Sequence, residues 1–181
     1  MATALAVTAC GDMKEQTPAE SLLEQLSDNI ANGKIMFGHQ DTYLYGHSWK
    51  VEADATGFDK TDIHDVTGRY PALYGLDLGG IELDSPLNID KNDFNHMRAS
   101  AIAHHERGGV ITFSWHPRNP LTGGDTWDNK STEVVASILP GGEKHEMFMG
   151  WLSKAADFLG SIKDAHAKDG RLQESCCPQH P

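Results

Sequence analysis

Three short apolar segments that end in polar residues constrain the fold of this chain more than any other feature. They occupy residues 34–41, 71–80 and 109–116. Their apolar parts have the length and continuity of buried strands rather than of helices. Because helical patterns separate strands along the chain, consecutive strands are joined by crossovers and pair in parallel. The fold class predicted from this pattern is α/β.

The first helix carries a clear start signal. Thr17 and Glu20 form the two ends of a capping box, and Pro18 stands at the first helical position. Four apolar residues then fall on one helical face, and Gly33 is a stop signal. These four are Leu22, Leu23, Leu26 and Ile30. We expect a helix of about four turns.

Two further helices are predicted after the second and third apolar segments. Asp90 is the expected cap of a helix that ends at Gly108. The other helix is strongly amphipathic over residues 148–162 and is expected to close at residues 169–170. Trp151 lies on the apolar stripe of this helix, so we expect it in the core.

The residues at the ends of the predicted strands favour a barrel over an open sheet. No Gly-x-Gly-x-x-Gly turn follows the first strand, which removes the best sign of dinucleotide binding. The strands end instead in polar or ring-bearing residues, namely His39, Asp41, Asp77, Trp115 and His116. In barrel enzymes the carboxyl ends of the strands form the active face. We therefore expect a ligand site among these residues.

Composition limits the class of ligand. The chain has 181 residues and a formal net charge of -11. This charge would repel the phosphates of a nucleic acid and suits a neutral ligand such as a polysaccharide. No apolar run is long enough to span a bilayer. We therefore expect one domain that binds no nucleic acid and contacts a membrane only through a lipid anchor.

A series of motifs adds a specific resemblance. The motifs are Gly38-His39-Gln40-Asp41, Tyr70-Pro71-Ala72, Gly75-Leu76-Asp77-Leu78-Gly79-Gly80, Ser114-Trp115-His116 with Asn119-Pro120, and Ile138-Leu139-Pro140-Gly141-Gly142 through Trp151-Leu152. In this order and spacing they resemble glycoside hydrolase family 26, especially its β-mannanases. The resemblance implies a (β/α)8 barrel that cleaves β-1,4-mannan, galactomannan or glucomannan with retention of configuration. It also implies two catalytic glutamates, at the ends of the fourth and seventh strands, and no cofactor.

The resemblance covers about the first three βα units of such a barrel. A family member continues after Gly170 into an apolar fourth strand that ends in a His-Glu pair, which this sequence does not show. We therefore interpret residues 17–170 as a partial (β/α)8 TIM barrel that lacks both catalytic glutamates and is inactive as it stands. Residues 171–181 are interpreted as an aberrant tail, for which a frameshift and a truncated gene are the two explanations.

The candidate contacts with a polysaccharide lie at the predicted strand ends and in the loop that follows the third strand. They are His39, Asp77, His116, Asn119 and Trp127. The resemblance implies that His116 bonds a sugar hydroxyl or steadies the catalytic glutamates, and the alternative is a histidine satisfied by backbone groups. Trp127 offers a flat apolar face to a sugar ring, with packing inside its own loop as the alternative.

The acids near these residues do not form a convincing catalytic pair. Hydrolysis with retention requires two carboxyl groups about 5 Å apart. Asp77 ends a strand, whereas Glu82 and Asp84 lie in the loop that follows it. We interpret Glu82 and Asp84 as solvated loop acids or helix-capping groups.

Two alternatives to a mannanase fragment stay open. The first is a non-catalytic mannan-binding remnant that keeps the substrate-facing residues. The second, which is less favoured, is a metal-dependent barrel hydrolase that uses His39, Asp41 and His116 as ligands. The usual His-x-His pair of such barrels is absent, and His104 and His105 cannot both face one site from a helix. We therefore predict no metal site.

The segment before the first helix resembles a bacterial lipoprotein signal. Val7-Thr8-Ala9-Cys10 has the residue order found where a signal peptide is cut before a lipid-bearing cysteine, although the basic start and most of the apolar stretch are absent. We interpret residues 1–16 as a residual lipoprotein signal and linker, with Cys10 as the lipidation site. An extracytoplasmic location follows, in the periplasm or at the outer membrane of a bacterium.

Overall fold

The computed structural model of the chain describes residues 16–163. The chain divides into two compact units, residues 1–36 and residues 37–181. The described part of the first unit holds a helix, and that of the second holds a parallel sheet with its helices. Cys10 and the predicted tail at residues 171–181 lie outside the described residues.

Helix α1 spans Pro18–Ala31 and begins as predicted. The Thr17 side chain accepts the backbone N–H of Glu20, and the Glu20 carboxylate accepts the N–H of Thr17 at 2.8 Å. These reciprocal bonds satisfy two amides that the helix itself cannot satisfy. Gly33 follows the helix with a positive φ of 67°, a conformation that glycine adopts without strain. The predicted capping box and the stop at Gly33 are confirmed.

The second unit is built on a three-stranded parallel sheet in the order β1, β2, β3. The strands are β1 (Gly38–Gln40), β2 (Leu73–Asp77) and β3 (Val110–Ser114). Gln40 aligns with Gly75, and Gly75 aligns in turn with Thr112. Parallel neighbours require a crossover connection between them. The predicted α/β class with a parallel sheet is confirmed.

The first strand starts later than the apolar run that predicts it. Ile35 is 95% exposed and Phe37 is also exposed, although both belong to that run. The Phe37 carbonyl accepts the N–H of Leu73 at 3.1 Å, but regular pairing begins only at Gly38. An apolar run does not by itself show which of its residues a neighbouring strand will pair with or cover.

Four helices and a 3-10 turn accompany this sheet in the described part of the unit. They are α2 (Asp62–Thr67), the 3-10 turn Ile81–Leu83, α3 (Phe94–Glu106), α4 (Val134–Ile138) and α5 (His145–Gly160). Helix α2 was not predicted. Helix α5 ends at Gly160 and is capped by Ser161. The predicted extension of this helix to residues 169–170 is wrong, because residues 161–163 are described and are not helical.

Helix α3 is capped by Asp93, so the predicted cap at Asp90 is wrong. The Asp93 carboxylate accepts the N–H of Asn95 at 2.7 Å and that of His96 at 3.4 Å. Asp90 donates its own N–H to the Asn88 side chain at 2.9 Å, within the preceding turn. Both aspartates precede the apolar pattern of α3, and aspartate favours turns and caps alike, so composition does not distinguish them.

Helices α3 and α5 cover one face of the sheet. Tyr74 and Leu76 of β2 belong to this face and are fully buried, together with Met97 of α3. Phe158 of α5 meets Phe113 of β3 edge to face, with ring centroids 6.4 Å apart. Since side chains alternate along a strand, Asp77 belongs to the opposite face. The helices therefore cover apolar side chains of β2 and β3, whereas Asp77 lies on the face that they do not cover.

A buried polar pair lies within this core. The Tyr43 hydroxyl is 2.9 Å from Nδ1 of His104, and neither residue is exposed to solvent. The His104 ring also meets Tyr74 edge to face, with centroids 5.5 Å apart. Burial, the largest cause, lowers the pKa of His104, so the ring is neutral in the folded chain.

Tyr43→Phe should lower the free energy of unfolding by about 1–3 kcal/mol, because it leaves a buried ring nitrogen of His104 without its partner. Urea denaturation at pH 7 measures this change. Tyr70→Phe is the matched control, since the Tyr70 hydroxyl donates to the Asp59 carbonyl at an exposed position. The control should change stability by no more than about 0.5 kcal/mol. Equal losses of unfolding free energy in the two variants would show that the buried Tyr43–His104 pair contributes no more than an exposed hydrogen bond.

Candidate functional site

Asp77 at the carboxyl end of β2 is 2% exposed and is the centre of the site. Its Oδ1 accepts the Gly79 N–H at 2.7 Å, and its Oδ2 accepts the Ser114 hydroxyl at 2.6 Å and also bonds Nδ1 of His116. Burial alone would raise the pKa of Asp77, but the bonds from Ser114, Gly79 and His116 outweigh burial and hold it below its ordinary value. The carboxylate is therefore ionised at neutral pH.

Asp77 orients His116, which follows the last residue of β3 by two positions. Because an ionised carboxylate can only accept, Nδ1 of His116 must carry the proton in their hydrogen bond. The other ring nitrogen, Nε2, is then an acceptor whenever the ring is neutral. The His116 side chain is 44% exposed, and Nε2 has no hydrogen-bond partner among the described residues. This nitrogen is thus available to a hydroxyl donor on a ligand.

Trp127 stands beside His116, on the loop after β3. The two ring centroids are 6.2 Å apart and the ring planes are tilted by 33°. The indole is 79% exposed, so it does not pack into its own loop. It borders a shallow pocket of about 330 Å³ that Asp125, Asp128 and Lys130 also line. An exposed indole with an acceptor beside it is suited to the apolar face and hydroxyl rim of a sugar.

Asn119 holds this loop in shape. Its Oδ1 accepts the N–H groups of Leu121 at 3.0 Å and Thr122 at 3.1 Å, and its Nδ2 donates to the Asp128 carbonyl at 2.8 Å. The side chain is buried by these contacts. The structure therefore gives Asn119 a positioning role in the loop that carries Trp127, while a direct contact with sugar stays a prediction.

His39 does not lie with Asp77, His116 and Trp127. It aligns with Tyr74 on the helix-covered face of the sheet, whereas Asp77 belongs to the opposite face. His39 lies instead near Asp62 of α2. The pKa of Asp62 is lowered first by a hydrogen bond from Trp49 and, with less effect, by the charge of His39.

A second acidic group lies at the end of β1, and sequence reasoning considered only Asp41 from it, as a metal ligand. Asp41 is fully buried and accepts the Tyr45 hydroxyl at 3.3 Å. Burial, then the charge of Asp90 and with less effect that of Asp77, raise the pKa of Asp41 to about 6. Tyr45 and Asp90 are exposed. The sequence signal for this group is Tyr45, which stands four residues after Asp41 at the end of the first apolar segment.

Glu82 is a buried structural acid, so its interpretation as a solvated residue is wrong. It is only 3% exposed. Its carboxylate accepts the N–H of Gly80 at 3.0 Å, the indole N–H of Trp115 at 3.2 Å and the N–H of Arg118 at 2.9 Å. The bond from Gly80 joins Glu82 to the residue that precedes the 3-10 turn. Glu82 thus ties this turn to the end of β3 and to its loop.

The metal-ligand hypothesis finds no geometric counterpart in residues 16–163. No three His, Cys, Asp or Glu side chains of this stretch come together where they could hold a metal ion. His116 bonds to Asp77 instead of joining His39 and Asp41. Within the same described stretch, no helix is both long enough and apolar enough to cross a membrane.

A parallel α/β sheet that gathers polar side chains at the carboxyl ends of its strands places its candidate site where barrel enzymes place theirs. Comparison with protein families gives the more specific assignment. The model of Glycosyl hydrolase family 26 matches residues 12–168, and the chain belongs to this family.

Individual relatives support this family assignment. A mannan endo-1,4-beta-mannosidase of Bifidobacterium adolescentis is 29% identical over 171 residues, which are 89% of this chain and 15% of the relative. A GH26 beta-mannanase from Bacteroides ovatus is 40% identical with a TM-score of 0.75, over 83% of this chain and 42% of that chain. The catalytic domain of an endo-beta-1,4-mannanase of Bacillus sp. JAMB-750 is 33% identical with a TM-score of 0.67, over 81% and 38%.

The chain therefore spans less than half the length of each of these relatives. The predicted family is confirmed, and so is the predicted fold, an α/β partial (β/α)8 barrel.

Asp41→Asn should stabilise the chain increasingly as pH rises from 4 to 7. The folded state resists ionisation of Asp41 up to about pH 6, whereas an unfolded aspartate ionises near 3.8. The folded state therefore binds this proton more tightly, and wild-type stability falls as pH rises through that interval. The stability difference between variant and wild type should grow by about 1–3 kcal/mol.

Urea denaturation at several pH values measures this difference. Asp59→Asn, at an exposed position, is the control and should stay within about 0.5 kcal/mol of wild type throughout. A difference between Asp41→Asn and wild type that does not change with pH would show that Asp41 is not held protonated by its surroundings.

Proposed function

We propose that this chain is the mannan-binding part of an endo-β-1,4-mannanase that acts with retention of configuration. The observation that carries the proposal is the Asp77–His116 pair beside the exposed Trp127, in a chain of glycosyl hydrolase family 26. The substrate is a neutral β-1,4-linked polysaccharide, namely mannan, galactomannan or glucomannan. The similarity to a mannan endo-1,4-beta-mannosidase and to a GH26 beta-mannanase supports the proposal.

The contacts expected with the polysaccharide follow from the geometry of the site. The indole of Trp127 takes the apolar C–H face of one sugar ring. The Nε2 atom of His116 accepts a hydrogen bond from a hydroxyl of the same or the next sugar. The exposed groups of Tyr45 and Asp90 extend this polar rim. Hydrogen bonds to the ligand are favoured because Asp77 already holds the imidazole in one tautomer and orientation.

Three acids near the described site, Asp77, Glu82 and Asp84, are engaged in structural contacts. Asp77 and Glu82 are buried, and each accepts hydrogen bonds from other parts of the chain. Asp84 pairs with Lys154 at 2.7 Å on the surface. None of these three carboxyl groups is free to protonate a leaving oxygen or to attack a sugar. We therefore expect the chain to bind mannan without cleaving it, and the family glutamates to perform the chemistry in a whole mannanase.

His116→Ala and Trp127→Ala should each weaken binding of mannohexaose by about tenfold, since each removes one direct contact. Isothermal titration calorimetry with the purified 181-residue chain measures the affinity. Trp127→Phe should keep most of the affinity because it keeps an aromatic face. His105→Ala, an exposed histidine of α3, is the matched control and should bind as wild type does. Unchanged affinity in both alanine variants would overturn the proposed site.

The same protein should release no reducing sugar from galactomannan. This follows because the nearby carboxyl groups are engaged as described above. A reducing-sugar assay with an active mannanase as positive control measures the release. Hydrolysis that survives removal of contaminating enzymes and disappears in Asp77→Asn would contradict this assignment and make Asp77 a catalytic residue.

We also propose that Cys10 carries lipid and places the protein outside the cytoplasm, at the periplasmic face or outer membrane of a bacterium. The support is the residue order Val7-Thr8-Ala9-Cys10. Expression in a bacterium with labelled palmitate should give a labelled product, and Cys10→Ser should abolish the label. Cys176→Ser and Cys177→Ser are controls that should keep it. Label that persists in Cys10→Ser would refute the proposal.

A further inference from the structure

A second pocket, of about 360 Å³, borders the loop that carries Trp127. It lies between the 3-10 turn, this loop and the first turns of α5. The side chains that line it include Leu83, Arg118, Asn119, Met147 and Trp151. None of these except Asn119 was among the predicted ligand contacts. The pocket is distinct from the one beside Trp127 because the two have different lining residues, although the same loop borders both.

Trp151 forms an aromatic wall of this pocket, so its predicted place in the core is wrong. The core side of α5 is formed by Ala155 and Phe158, while Trp151 stays partly exposed. Its ring packs at 61° against Phe148, with centroids 6.3 Å apart, and Phe148 stacks on Trp115 at 6.0 Å. This row of rings holds the indole in place before any ligand arrives. A fixed aromatic surface costs little conformational entropy on binding.

Arg118 lines the same pocket and supplies hydrogen-bond donors there. Its backbone N–H is held by Glu82 at 2.9 Å, and the same carboxylate accepts the indole N–H of Trp115. Glu82 thus fixes the backbone of Arg118 and the Trp115 ring on which Phe148 stacks. The guanidinium group is exposed and has no hydrogen bond or ion pair within residues 16–163. It therefore offers several N–H donors to a ligand without first breaking a contact.

The shared loop makes the two pockets neighbours. Asn119 lines the second pocket, and its amide donates to the Asp128 carbonyl in the wall of the first. The Asn119 N–H also bonds the Gly124 carbonyl at 3.0 Å, which closes the loop between them. A polymer that contacts Trp127 can therefore continue, or carry a branch, toward Trp151.

We propose that this second pocket is an additional carbohydrate-binding subsite, which takes a sugar unit beyond those that contact His116 and Trp127. The inference rests on the proposed function. A pocket lined by an aromatic ring and by a guanidinium group without a protein partner matches the apolar ring face and the hydroxyl acceptors of a neutral sugar. An anionic ligand is disfavoured because the chain has a formal net charge of -11 and Asp84 is exposed beside Leu83.

Arg118→Ala and Trp151→Ala should each weaken binding of long ligands and spare short ones. For mannohexaose or galactomannan we expect a loss of about fivefold, and for mannotriose a change of less than about twofold. Calorimetric titration of the full chain gives both values. Arg69→Ala, which removes an exposed arginine just before β2, at the opposite end of the sheet, is the matched control for lost charge and should match wild type with every ligand.

The outcomes separate this inference from the proposed function. If Trp127→Ala weakens all ligands while Arg118→Ala and Trp151→Ala weaken none, the second subsite is refuted and the proposed function stands. If the wild-type chain binds no mannan ligand, both are refuted. If Trp151→Ala unfolds, as circular dichroism would show, Arg118→Ala decides alone, since its side chain is exposed. Equal losses for mannotriose and mannohexaose in Arg118→Ala would also refute a separate subsite.

Discussion

The candidate site depends on one buried charge, the carboxylate of Asp77. Removing a carboxylate from water costs several kcal/mol unless donors replace its hydration. Here the donors are the Gly79 N–H, the Ser114 hydroxyl and the ring of His116. These contacts join the end of β2 to the end of β3 and set the tautomer of the imidazole. The orientation of the unbonded ring nitrogen of His116 is therefore a consequence of how the sheet satisfies this charge.

Glu82 is a second buried carboxylate whose hydrogen bonds all come from the protein. Its carboxylate joins the 3-10 turn to Trp115 and Arg118 through bonds of 3.2 Å and 2.9 Å. With both carboxylates satisfied inside the protein, the aromatic and basic side chains nearby can face outward in fixed positions. Part of the negative charge of this chain is thus internal and structural. A formal net charge of -11 therefore does not require a cationic ligand.

Local signals predicted the parts of the fold that local physics decides. The capping box at Thr17, strands β2 and β3, and the position of His116 follow from patterns within a few residues. The predictions for Glu82 and Trp151 were wrong because contacts between residues distant in sequence determine where these side chains lie. Glu82 is buried because donors 33 and 36 residues later reach it, and no pattern around Glu82 shows this. Trp151 fits an apolar stripe, yet α5 turns Ala155 and Phe158 toward the core.

The acids of the described site illustrate why binding and chemistry need different carboxyl groups. An acid catalyst needs a raised pKa and an oxygen that substrate can reach, and Asp41, with a pKa of about 6, meets the first condition. It fails the second, because it is fully buried with Tyr45 bonded to it. Asp77 lies closer to the ligand surface, but its hydrogen bonds lower its pKa and use both of its oxygens. A carboxylate held that firmly can position His116, and for the same reason it is a poor proton donor.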